Sequence, residues 1–119
     1  MEEPKQPVTT NFIIATMKDW VEKKMVIAPS TWIEAAQKLN VLFGDESDKL
    51  YDMQQIVAKE RVHLIENQEE KNISEVKMRI ESFDMYRDMK KQEAKITQIE
   101  EFIRIAKIQA RLRDNEMSH

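Results

Sequence analysis

From Ser30 to His119 the chain meets one glycine, Gly44, and no proline; Pro4, Pro7 and Pro29 all fall before that stretch. Glycine and proline are the residues that punctuate a backbone, so a sequence without them must form few, long elements. A β fold of 119 residues would need many more turn residues. Charged residues make up 34% of the chain, and Ala, Leu, Gln and Met fill much of the rest, a mixture suited to long helices that pack on one another. The expected fold class is all-α, in a single domain.

Several functions drop out on composition. With no cysteine there is no disulfide, thiolate metal site or thiol nucleophile. A single glycine cannot build a glycine-rich phosphate loop. The start, MEEPKQPVTT, is polar and acidic and does not read as a secretory signal. No apolar run nears the roughly 18 residues that a membrane span requires. A cytoplasmic protein is expected. The net charge is −3, and no segment carries the positive excess that drives counterion release on nucleic acid.

Four helices are expected, at about 10–27, 31–43, 46–70 and 75–113, with flexible tails over 1–9 and 114–119. Thr9 or Thr10 caps the first, whose buried face is Ile13, Met17, Trp20, Val21 and Met25. Pro29 stops it, because the residue before a proline avoids the α region. Thr31 and Glu34 then have the spacing of a capping box for the second helix, and Gly44 sits where a left-handed stop is wanted. The third carries a main stripe of Leu50, Met53, Val57 and Leu64, broadened by Ile56, Ala58, Val62 and Ile65. Over Asn67–Asn72 two readings compete: a turn, or one uninterrupted helix. The turn is favoured, with Ser74 as the next cap and Ile73 stapled onto Met78.

The fourth helix has apolar residues on two sides. Met78, Met85, Met89, Ile96, Ile99, Ile103, Ala106 and Ala110 share one face, and from Ile96 their spacing alternates three and four, as in a coiled-coil seam. Val76, Ile80, Phe83, Ala94, Ile105, Ile108 and Leu112 lie almost opposite. At about 1.5 Å per residue, the third helix would run about 38 Å and the fourth about 58 Å. The third therefore leaves the end of the fourth bare. That argues for a homo-oligomer or a helical protein partner meeting Ile96, Ile99, Phe102, Ile103, Ile105, Ala106, Ile108, Ala110 and Leu112. The competing reading is a compact monomer in which helices one and two wrap the fourth completely.

Two sets of polar residues are candidates for chemistry. Glu60 and His63 have the E-x-x-H spacing of helical carboxylate metal sites, with Glu66 a turn further on. Charged residues flank His63, so a solvated surface is the better reading, and no metal or cofactor is expected. Arg87, Lys90, Lys91 and Lys95 form one basic ridge, and Arg104, Lys107 and Arg111 a second that Arg113 extends. Asp84, Asp88 and Glu93 interleave with the first as intrahelical partners. Ser30, Ser47 and Ser74 read as caps or linkers rather than nucleophiles, and catalysis is not expected.

The stretch PSTWIEAAQKLN from Pro29 to Asn40, and IEEFIRIAKIQARL from Ile99 to Leu112, resemble small helical proteins encoded by tailed phages. Two short helices ahead of a long hairpin is also similar in layout to the phage terminase small subunit. That resemblance implies ring formation through the hairpin and DNA contact through an N-terminal helix-turn-helix. Here the first two helices are nearly neutral and contain no recognition helix, so no functional residue carries over. The expected function is a non-enzymatic oligomerisation or adaptor role exercised by the long helix, as a phage accessory or structural protein. The alternative is a DNA-packaging protein using the basic ridges.

Overall fold

The structure is a computed structural model that describes residues 9–67 and 72–117. It contains four helices, α1 (Thr10–Glu22), α2 (Pro29–Glu66), α3 (Ile73–Glu81) and α4 (Asp84–Met117). Among the described residues there is no strand. The all-α expectation holds, but the arrangement is not two short helices followed by a hairpin.

Helix α1 starts on Thr9, whose hydroxyl accepts from the Phe12 amide at 3.2 Å. It ends at Glu22, earlier than the expected 27. Lys24 takes a left-handed φ of 51°, the Met25 amide donates back to the Trp20 carbonyl, and the Lys24 amide to that of Val21. This is a Schellman ending with lysine in the place that usually holds glycine. Val21 and Met25, expected on the buried face, are exposed.

The largest correction concerns α2. It begins at Pro29, not at Thr31, with the Ala28 carbonyl accepting from the Thr31 and Trp32 amides. Proline suits a first helical position, since its fixed φ is already helical and its missing N–H would find no intrahelical partner there. Gly44 does not stop the helix: it lacks a positive φ and lies inside α2, which runs on to Glu66. The acceptors expected to start a third helix, Asp45 to Asp48, are therefore mid-helix. One weak helix former cannot end a helix whose flanks both gain by packing.

Beyond Asn67, residues 68–71 lie outside the described residues. Asn72 caps α3, its side chain accepting from the Glu75 amide at 2.9 Å, so the cap is two residues earlier than Ser74. The expected staple is absent, with Ile73 85% and Met78 72% exposed; Val76 and Ile80 are the buried face instead. The long fourth helix is also interrupted. At Ser82 the hydroxyl donates to the Arg79 carbonyl at 2.6 Å, competing with the helical ladder, and the Phe83 carbonyl then receives the first turn of α4. Helix α4 continues to Met117, past the expected end at 113; residues 1–8, 118 and 119 lie outside the described residues.

The chain divides into two compact units. Unit 1 takes the chain through Phe43 and from Gln98 onward; unit 2 takes Gly44–Thr97. The unit 1 core joins Ile13, Ile14 and Met17 of α1 with Trp32, Ala35, Ala36 and Leu39 of α2, and with Ile99, Phe102, Ala106 and Ala110 of α4. Trp20 meets Trp32 edge to face, centroids 4.9 Å apart. The unit 2 core joins Val57 and Leu64 of α2, Val76 and Ile80 of α3, and Met89 of α4. Leu50, Met53, Phe83, Met85 and Tyr86 pack around it, half-buried.

Candidate interaction surface

The structure changes where an exposed apolar face is found. Of the residues expected to meet a partner, Ile99, Phe102, Ala106 and Ala110 are buried in unit 1's own core, and Ile103 and Ile105 pack half-buried against it. Ile96 is half-buried as well, while Ile108 and Leu112 are exposed. Within unit 1, α1 and the beginning of α2 clothe this part of α4. The premise that helices of this chain leave it bare is therefore corrected. Over Ile99 to Ala110 the competing reading is the nearer one, since α1 and α2 bring seven core residues onto that flank.

An apolar stripe does remain uncovered, on α2 in unit 2. Tyr51, Val62 and Ile65 are 61%, 50% and 54% exposed, and Ala58 between them is exposed too. They lie roughly a third of a turn round the helix from the buried side, which is marked by Leu50, Met53, Val57 and Leu64. Sequence reasoning placed Ala58, Val62 and Ile65 on that buried stripe as its broadening. The missed signal was their spacing. Positions 51, 55, 58, 62 and 65 alternate four and three, a seam of their own, with Gln55 as its polar member. A shallow hollow of about 280 Å³ lies over this seam, bounded by Gln55, Ala58, Lys59 and Val62, with His63 and Glu66 beyond. A separate groove of about 440 Å³, lined by Ile65, Ile73, Val76 and Ile80 among others, opens between the end of α2 and α3.

One polar cluster is held inside unit 2. Glu46 is buried mid-helix, and Gln92 of α4 donates to its carboxylate at 2.6 Å and to its backbone carbonyl at 2.8 Å. Lys95 lies 3.2 Å and Lys49 3.5 Å from the other carboxylate oxygen. Burial alone would raise the Glu46 pKa. The Gln92 and Lys95 hydrogen bonds, with the charges of Lys95 and Lys49, outweigh it and hold the group below the ordinary value of 4.5. Such a contact fixes the register of two helices, because only one sliding position satisfies it.

The basic ridges are partly spent on neighbours. In unit 2, Lys95 is committed to Glu46, and Lys90 pairs with Glu93 and lies 5.4 Å from the centre of the Tyr86 ring. In unit 1, Arg104 pairs with Glu101. Arg87, Lys91, Lys107 and Arg111 are exposed. At the candidate metal position, His63 and Glu66 are exposed and Glu60 is half-buried. The Asn67 side-chain amide donates to the His63 carbonyl at 2.8 Å, closing the end of α2. Among the described residues, no group of three or more His, Cys, Asp or Glu is placed to hold a metal ion. No described helix is long and apolar enough to cross a membrane. No protein family, curated protein or solved structure matches the chain.

Proposed function

We propose that this protein works without catalysis, through helix-to-helix contact with another protein chain, and that the contact is made by the outer face of α2 in unit 2. The observation that carries this reading is the exposed seam of Tyr51, Ala58, Val62 and Ile65 along a flank of α2 beside its own core. Scattered exposed apolar residues are ordinary on a protein surface, whereas a periodic row on one helix face is what a partner helix reads. The role is that of an adaptor or accessory protein.

Crosslinking in cells tests it. A photoreactive amino acid replacing Val62 is expected to form adducts with protein, and the same group at Lys38, on unit 1 and paired with Glu34, is not. Absence of any protein adduct at Val62 would overturn the reading.

A further inference from the structure

We infer that the α2 seam of unit 2 pairs antiparallel with the same seam on a second copy of the chain. The inference rests on the proposed helix-contact function and names the occupant of that face. Three observations support a second copy in this orientation.

The first is charge. Around the first half of the seam lie Asp45, Asp48 and Asp52, and around the second half Lys59 and Arg61, with Glu66 at its end. Parallel pairing would set three carboxylates against three and cation against cation. Antiparallel pairing sets the acidic half of each copy against the half that holds Lys59 and Arg61, leaving one like-charge pair, Asp45 with Glu66, at each end. Asp52 then faces Lys59 twice, once on each side of the two-fold axis. Flanking charges of this kind decide orientation in coiled coils.

The second is size. With Tyr51 of one copy beside Val62 of the other, Gln55 comes over Ala58, so each large side chain meets a smaller one. Parallel pairing would stack Tyr51 on Tyr51 and leave Ala58 facing Ala58 across a void.

The third is shape. Of the six residues lining the hollow, His63 and Glu66 extend it along the helix, and Gln55, Ala58, Lys59 and Val62 stand at i, i+3, i+4 and i+7. Those are the four positions that form a hole for a knob from a facing helix. In the register above, the knob is Gln55 of the second copy. A two-fold, self-complementary patch of this kind closes on a dimer and does not propagate.

Sedimentation of the purified full chain tests the inference. Between about 5 and 500 µM the weight-average mass should rise from monomer towards dimer, the polar Gln55 layer keeping the association weak. Val62→Asp should weaken it at least about tenfold, with helicity unchanged because Val62 is not in the core. Asp52→Lys alone should weaken it, and Asp52→Lys with Lys59→Asp should restore it, as an antiparallel pair requires. A wild-type chain that stays monomeric throughout overturns the second copy as occupant. If Val62 still crosslinks to another protein in cells, the helix-contact reading survives that result. Dimers indifferent to Val62→Asp, or not restored by the double exchange, overturn the seam or its orientation.

Discussion

In unit 1 three helices meet through small residues: Ala35 and Ala36 of α2, and Ala106 and Ala110 of α4, are all buried. Alanines let helix axes approach closely, and the larger Met17, Leu39, Trp32 and Ile99 fill the space left around them, each at most 2% exposed. Unit 2 has fewer fully buried side chains, surrounds them with half-buried Met53, Met85, Leu50 and Phe83, and spends a buried site on Glu46 and Gln92. The contrast teaches that the same two helices can be held by packing in one stretch and by a polar register contact in another. It also explains where the free face lies. Unit 1 also exposes apolar residues, among them Phe12, Val26 and Val41, but in unit 2 the exposed Tyr51, Ala58, Val62 and Ile65 repeat at seam spacing along one helix.

Large-to-small substitutions probe this difference most strongly. Leu39→Ala is expected to cost about 4 kcal/mol, because rigid neighbours cannot collapse into the hole. Leu64→Ala should cost about 2.5 kcal/mol, since methionines around it can refill part of the volume. Urea melts followed by circular dichroism give both values; equal costs, or the reverse order, would break the comparison. Both tryptophans lie in unit 1. Their fluorescence therefore reports that unit alone, and a transition displaced from the dichroism curve would show the units unfolding separately.

Glu46→Ala should cost about 1–3 kcal/mol by removing the carboxylate that accepts from Gln92 and pairs with Lys95, leaving Gln92 only the backbone carbonyl of residue 46. The pH dependence follows from the depressed folded-state pKa. Ionised Glu46 contributes stability above the ordinary value of 4.5, and that contribution is lost as pH falls through the lower folded value. Thermal melts from pH 6 down to about pH 3 should show the wild type losing more stability than Glu46→Gln. Parallel curves would remove the electrostatic part of the account.

Two small gains are expected at backbone positions. A Cβ at Gly44 would meet nothing within 4 Å, so Gly44→Ala should stabilise the chain by about 0.5–1 kcal/mol by improving helix propensity. If Gly44 were a left-handed stop, as its place in the sequence suggests, the same change would destabilise. Lys24→Gly should add roughly 0.5 kcal/mol by relieving a left-handed lysine, the gain being trimmed by the freedom glycine brings to the unfolded chain. A fall in melting temperature for either variant would contradict the conformation described for it.

Much of the fold was legible in the residues. Thr9, one of the two caps expected, the buried face of Ile13 and Met17, and Val57 with Leu64 read correctly because capping and helical spacing are local properties. Less of the candidate surface was legible. Ala58, Val62 and Ile65 are apolar and helically spaced, and nothing local distinguishes a row that meets its own chain from a row that does not. Gly44 looked like a stop where neighbouring turns held the helix together, and the break at Ser82 has no glycine or proline to mark it.

The sequence by itself determined that this protein is all-helical, since it lacks the residues with which a backbone turns, and it determined which residues share a face. The tertiary structure decided which face is covered. Burial is the outcome of competition among all apolar stripes for a limited number of neighbours, and that competition is settled only when every helix has a place. It gave the end of α4 to α1 and the start of α2, and left the outer side of α2 in unit 2 open to water.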